Sequence, residues 1–343
     1  MRGPGIRVAA ALLAALSAVV FEVRPHAQAA LTSGLFERYV EALRQEYGIP
    51  GMSVVVLQNG AAVTSSGFGF ANVAGAVRAR DDTPYPIANL TETIGAAVTL
   101  RQCMDYRRIE LDDRVIRWSP FPDGSATFAN VLGHMDAAGR YDYNPSRFAL
   151  LGEAASECAI EEYPVLVARL LEEAAMTRSV PGREVVDAPL SSLFVDAELA
   201  RYRAVLADVA TPYRVTGTTA TRSDYSPGAM SAADGVITTA VDLARFHSRL
   251  DEGLIVSREL LQENLVPPAA LGWFVYNYNG APLLWHYGVV RDAYSSLVVK
   301  VPSRRLTLIM LANSDRLATS LSRSQPDPTV SVFVKTFLRI FVG

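Results

Sequence analysis

Lysine is almost missing from this chain of 343 residues: Lys300 and Lys335 stand against 30 arginines. None lies between Ala30 and Val299, so chemistry that needs a lysine in the first three quarters of the chain has no candidate. Histidine is scarce too, and beyond residue 29 only His134, His247 and His286 remain. There is no His-Glu-x-x-His or Cys-x-x-Cys spacing, so neither a metal site nor any cofactor is expected. The two cysteines, Cys103 and Cys158, cannot make a zinc site alone. Both sit in apolar helical patterns, which leaves two fates open: a bridge if the chain is exported, or two buried free thiols. An excess of positive charge is also absent, with 32 Lys and Arg against 35 Asp and Glu. Nothing in that balance attracts nucleic acid or an anionic membrane surface. After residue 30 no uncharged apolar run reaches 18 residues, and no repeat or low-complexity linker occurs.

What is present begins with a targeting pattern. Arg2 and Arg7 flank a positive start, Val8 to Phe21 is almost unbroken apolar, and Ala27-Gln28-Ala29 supplies a small-x-small cleavage pattern. As a helix that run spans only about 20 Å, short of a hydrocarbon core of roughly 30 Å. Residues 1–29 therefore read as a cleavable signal peptide; the alternative is an uncleaved anchor. The mature chain is expected to be periplasmic or secreted, and no cysteine follows the run to carry a lipid. What remains is long enough for one large domain or two intimate ones.

Leu35, Tyr39, Leu43 and Tyr47 recur every four residues, predicting a helix over 31–47 that stops at Gly48-Ile49-Pro50-Gly51. Met52–Leu57 is a β-branched run, and Asn59-Gly60 turns it into a second strand, Ala61–Phe70. Thr91–Arg108 and Phe148–Leu171 have helical patterns, and helical or loop-like segments extend to about 205. Beyond Pro212 come a helix at Thr239–Leu250 and strands at Leu271–Tyr278, Pro282–Trp285, Ala293–Val301 and Leu306–Ala312. Asn279-Gly280 marks another hairpin, and Val330–Phe341 closes the chain as an amphipathic helix. Ser320–Thr329 reads as a polar loop. Two β-rich ends joined by short hairpins around a helical middle predict an α/β fold: an antiparallel sheet flanked by helices. The expected regions are 30–84 with 206–343 for the sheet and 85–205 for a mainly helical insertion, with a cleft between them.

Seven segments then fall into a familiar order. They are Gly48-Ile-Pro-Gly-Met-Ser-Val-Val-Val, Tyr85-Pro-Ile-Ala-Asn-Leu-Thr-Glu-Thr, Ile109-Glu-Leu-Asp-Asp-Arg-Val, Ala175-Met-Thr-Arg-Ser, Gly235-Val-Ile-Thr-Thr-Ala-Val-Asp-Leu-Ala-Arg-Phe with Leu271-Gly-Trp, Trp285-His-Tyr-Gly288 and Leu311-Ala-Asn313. Over roughly 35–340 the chain resembles the beta-lactamase-related serine hydrolases, which include class C beta-lactamases, penicillin-binding proteins, D-alanyl-D-alanine carboxypeptidases and esterases. The resemblance implies the beta-lactamase/transpeptidase-like form of that fold. It also implies covalent acyl transfer, in which a helix-borne serine attacks a carbonyl and a lysine one turn on assists it.

Both residues are replaced here. Asn89 occupies the serine position and Glu92 the lysine position. An amide is no nucleophile, and a carboxylate puts negative charge where the family has a cation. Asn89-x-x-Glu92 would also make a good helix-capping pair, the structural alternative for both. The family's Tyr-x-Asn motif aligns with Tyr143-Asn144-Pro145, where the tyrosine stays and proline removes the amide. His286-Tyr287-Gly288 matches a His-x-Gly strand motif that would border the cleft, with Tyr287 bulky where a small residue is usual. His134, in Leu132-Gly-His-Met, is expected to be structural. Ligand contacts would come from Asn89, Tyr143, His286, Tyr287 and Gly288.

The reading is a catalytically degenerate family member that binds a small-molecule or peptide-like ligand in the cleft, or a partner in the cell envelope. The alternative is a divergent hydrolase or acyl transferase acting on an ester or amide. There Thr91, Thr93 or a water would attack, with Glu92, Tyr143 or His286 in the proton relay. A third, purely structural reading requires a cleft filled by Tyr143, Tyr287 and Tyr294.

Overall fold

The structure, a computed structural model, describes residues 29–225, 228–263 and 268–343. The signal-peptide expectation for residues 1–29 falls almost wholly outside them. Twelve strands and ten helices organise the described chain. In chain order the strands are β1 (Gly51–Gln58), β2 (Ala61–Asn72), β3 (Val77–Arg78), β4 (Tyr85–Pro86), β5 (Tyr213–Thr216), β6 (Thr219–Arg222), β7 (Ile237–Thr238), β8 (Ala269–Ala270), β9 (Trp273–Tyr278), β10 (Ala281–Val290), β11 (Tyr294–Val301) and β12 (Leu306–Ala312). Helix α1 covers 29–46. After it come α2 (Glu92–Thr99), α3 (Phe128–Leu132), α4 (Pro145–Ala149), α5 (Leu151–Ala159), α6 (Tyr163–Glu173), α7 (Asp196–Ala207), α8 (Ala240–Asp251), α9 (Arg258–Glu263) and α10 (Val332–Phe341).

Eight strands form one antiparallel sheet in the order β3-β2-β1-β12-β11-β10-β9-β8. Its centre joins the two ends of the chain, with Val55 opposite Ile309 and Ser296 opposite Leu311. Both predicted hairpins take the two-residue turn that Asn-Gly favours: Asn59 and Gly60 have φ of 55° and 80°, Asn279 and Gly280 50° and 81°. Alternation then sorts the side chains. Val54, Val56, Leu297, Val299 and Leu308 pack under α1 and α10 against Phe36, Phe333 and Phe337. Val55, Val298, Ile309 and Leu311 face the other way, onto a larger core shared with α2, α5, α6 and α8. Both faces are covered, which explains why the central strands read as continuous apolar runs.

Two details differ from the sequence expectation, and a third decides between the two fates left open for the cysteines. The helical pattern over 148–171 is broken, because Ile160 adopts a left-handed conformation (φ 57°) and Pro164 starts α6 afresh. The helix after Thr91 passes from α into a π-helical stretch at Leu100–Tyr106. That stretch carries Cys103, which is bridged to Cys158 on α5, with Cα atoms 5.2 Å apart. Among the described residues no helix is long and apolar enough to cross a membrane.

Candidate functional site

The site is built where α2 begins. The strand β4 pairs with β7, and the chain then makes a 3-10 turn, Ala88–Thr91, before entering α2. That turn lies directly on β10. A Cβ at Gly288 would sit 2.0 Å from the Ile87 carbonyl oxygen and 2.9 Å from the Leu90 nitrogen, so only glycine admits the contact. Ser296, on the next strand, fastens the turn from beneath: its hydroxyl donates to Ile87 O (2.7 Å) and accepts from Gly288 N–H (3.1 Å). Ala88 is held left-handed at φ 49°, a conformation costing a residue with a Cβ of order 1 kcal/mol.

This geometry defeats the expected capping pair. Asn89 lies inside the 3-10 turn, and the residue at the cap of α2 is Thr91, which makes no side-chain cap bond. Glu92 instead turns inward and is fully buried. Its Oε1 accepts a hydrogen bond from the Tyr143 hydroxyl at 2.8 Å. Its Oε2 is 3.0 Å from His286 Nε2 and 3.2 Å from His134 Nε2. The approach of His134 lacks hydrogen-bond geometry, and Nδ1 of both imidazoles is buried without a partner.

Each partner arrives from a separate element. His134 follows α3 in a left-handed conformation (φ 51°), and its carbonyl accepts from Asp142 N–H, which places Tyr143 beside it. The two rings lie 4.6 Å apart. Asn144 then caps α4 by accepting from Arg147 N–H at 2.9 Å, with Pro145 at the first turn. Proline where the family has asparagine thus starts a helix. His286 comes from β10 and stacks on Phe274 with ring centroids 4.7 Å apart.

In front of Asn89 stands an arginine. Arg323 Nη2 donates to Asn89 Oδ1 at 2.6 Å, while Asn89 Nδ2 donates to Ala233 O at 3.3 Å. The guanidinium lies over Tyr143 at 4.9 Å and over Tyr287 at 5.1 Å. Its loop is tied down by Tyr141, whose hydroxyl donates to Arg323 O at 2.6 Å. The polar loop 320–329 therefore carries a residue that sequence reading missed. The filling required for a purely structural role would include Tyr294, but that ring is elsewhere: it packs on Tyr225 and donates to Ala210 O. Two cavities, of about 510 and 480 Å³, also lie away from the cluster.

Burial works to raise the Glu92 carboxyl, but His134 and then His286 outweigh it and hold its proton affinity well below the ordinary carboxylate value. The group is a carboxylate at neutral pH. Burial lowers His286, partly offset by Glu92. Burial and the Glu92 charge raise Tyr143 far above the ordinary phenol, so Tyr143 remains a hydrogen-bond donor. Lys300 offers no replacement base: it is buried, paired with Asp251 and 5.6 Å from the Trp273 ring centre. Of the threonines beside Glu92, Thr93 donates its hydroxyl to Leu90 O, while Thr91 Oγ1 is buried without a partner.

Asn89, Glu92, Tyr143, His286, Tyr287 and Gly288, far apart in sequence, thus surround one locus, joined by His134 and Arg323. His134, expected from the sequence to be structural, stands 3.2 Å from the Glu92 carboxylate, a placement that only the fold discloses. Comparison with known proteins bears on the family and the fold. A family model described as Beta-lactamase matches residues 36–323. No curated protein sequence matches the chain. Among solved structures, an octameric penicillin-binding protein homologue from Pyrococcus abyssi is similar with a TM-score of 0.70 and 19% identity, over 89% of this chain and 77% of that one. A D-alanine carboxypeptidase AmpC from Burkholderia cenocepacia gives 0.67 and 20%, over 90% and 98%. A class C beta lactamase from Rhodobacter sphaeroides gives 0.66 and 15%, over 90% and 99%. At such identities the structures establish the fold, and the model matched over most of the chain establishes the family: this chain belongs to the beta-lactamase family.

Proposed function

We propose that this chain is an exported family member that has lost Ser-Lys acyl transfer. It keeps its cleft, between the sheet region (30–84 with 206–343) and the helical region (85–205), to bind a small peptide-like ligand or an envelope partner. The observation that carries this is the fate of the two replaced positions. Asn89 is held between Ala233 O and Arg323, and Glu92 is a buried carboxylate engaged by Tyr143 and His286. No atom there combines nucleophilicity with access to an acyl carbon, and loss of a nucleophile alone costs orders of magnitude in such sites.

Binding then requires only that the half-buried Arg323 remain in place or swing aside. Its guanidinium between two tyrosine rings suits a ligand carboxylate or carbonyl approaching from solvent. The bridge between Cys103 and Cys158 supports an oxidising compartment, in keeping with the N-terminal targeting pattern. The test is a panel of peptides, esters and amides offered to the protein without residues 1–29. The expected result is binding without turnover, weakened by Tyr287→Ala or Arg323→Ala. Turnover abolished by both Glu92→Ala and His286→Ala would establish instead the divergent hydrolase. The unpartnered Thr91 hydroxyl beside Glu92 is the observation that favours that second reading.

A further inference from the structure

The side chains of Glu92, His134 and His286 do more than neutralise one another, and we propose that they bind a single zinc-type divalent cation. Three ligand atoms, one from each, lie within 4.8 Å of one another, and all three residues are buried. Both Nε2 atoms converge on the same carboxylate oxygen, at 3.0 and 3.2 Å. With metal–ligand bonds of about 2.0–2.1 Å, the edges of a tetrahedron are about 3.3 Å. Two edges of such a face are therefore already close to length, and closing the third requires the two imidazole nitrogens, within 4.8 Å of one another, to draw together around the ion.

The hydrogen-bond inventory points the same way. His134 Nε2 faces the carboxylate without bonding to it, and no donor or acceptor reaches Nδ1 of either ring. Of these three nitrogens a cation would satisfy His134 Nε2, whose buried and unpaired state runs against the strong tendency of buried polar groups to be paired; the two Nδ1 atoms stay without partners either way. A cation at the centre would use the lone pairs of both Nε2 atoms. Binding through Nε2 puts the imidazole protons on Nδ1, so the His286 proton, which now sits on the nitrogen bonded to Glu92 Oε2, changes side as the ion enters. The Tyr143 hydroxyl, donating to Oε1, would orient the carboxylate ligand, as outer partners do in metal sites.

Two imidazoles and one carboxylate select zinc, cobalt or nickel over magnesium and calcium, and leave a fourth position open. Because no acceptor meets either Nδ1–H, affinity falls short of an optimised site by about 10- to 100-fold for each missing partner. A dissociation constant in the micromolar range is expected. The inference is independent of whether the cleft binds a peptide-like ligand.

Calorimetric titration of chelator-stripped protein with zinc chloride tests it, followed by cobalt titration read by visible absorption. One ion per chain is expected, with cobalt bands of tetrahedral intensity and no competition from millimolar magnesium. Glu92→Gln, His134→Asn and His286→Asn should each weaken binding by more than about 100-fold. His247→Gln, a change at a buried histidine outside the cluster, should leave it intact. Tyr143→Phe keeps all three ligands and should weaken binding by roughly tenfold, so the test survives if a ligand variant fails to fold. Absence of stoichiometric binding, or binding that none of the four cluster variants weakens, overturns the proposal.

Discussion

Replacing Glu92 by alanine isolates the energetics of the cluster. In chelator, where no ion contributes, the change strands the Tyr143 O–H and the His286 Nε2, which now bond to the carboxylate at 2.8 and 3.0 Å. An unsatisfied buried group costs about 1–3 kcal/mol, so two give roughly 2–6 kcal/mol. The phenol is only partly buried and can recover part of its share from water, which moves the expectation to about 2–4 kcal/mol. Urea unfolding followed by tryptophan fluorescence measures it, with the slope of the transition checked for constancy. A double-mutant cycle makes the test sharper. In Glu92→Ala with Tyr143→Phe, the stranded hydroxyl is gone, and the two losses should fall short of additivity by about 1–2 kcal/mol. A Glu92→Ala protein as stable as the wild type would refute the reasoning. It would mean that desolvating the carboxylate costs as much as its partners return.

Three further outcomes follow from other parts of the fold. Removing the bridge with Cys103→Ser and Cys158→Ser frees a loop of 55 residues, which in the chain-entropy picture costs about 4 kcal/mol, read as a lower urea midpoint. Gly288→Ala forces a Cβ against the Ile87 carbonyl, and should destabilise by about 3 kcal/mol or more; a neutral result would mean the turn carrying Asn89 is not fixed by this contact. His247 is fully buried without a hydrogen-bond partner, and burial, then the Lys300 charge, lowers its proton affinity well below the ordinary value. The unfolded chain therefore takes up the proton first, so this group's contribution is present above about pH 6.5 and is lost as pH falls below it. In His247→Phe the pH slope of stability between about 6.5 and 5 should flatten by up to about 1.4 kcal/mol per pH unit.

The fold was legible because its signals are local. Asn-Gly turns, β-branched runs and four-residue apolar spacing each act within a dozen residues, and the sheet followed from them. Exceptions arose where one residue redirected the backbone, as left-handed Ile160 does between α5 and α6. The site was legible in position but not in chemistry. Glu92 read locally is a helix cap, because local reading sees only Asn89 and the helix amides. Its true partners are 51 residues away at Tyr143 and 194 away at His286. Arg323, 234 residues from Asn89, sits in a stretch with no pattern at all. Likewise, the scarcity of histidine argued against a metal site on sequence spacing alone, whereas the fold gathers two of the three histidines among the described residues around one carboxylate.

The central claim is that acyl transfer through a serine and a lysine has been lost from a retained scaffold. Intact-mass measurement after incubation with a fluorescent penicillin tests it most directly. The expected result is an unmodified chain, with Asn89→Ser and Glu92→Lys together as the comparison that restores the family pattern. A stoichiometric penicilloyl adduct on the wild-type protein would contradict the claim.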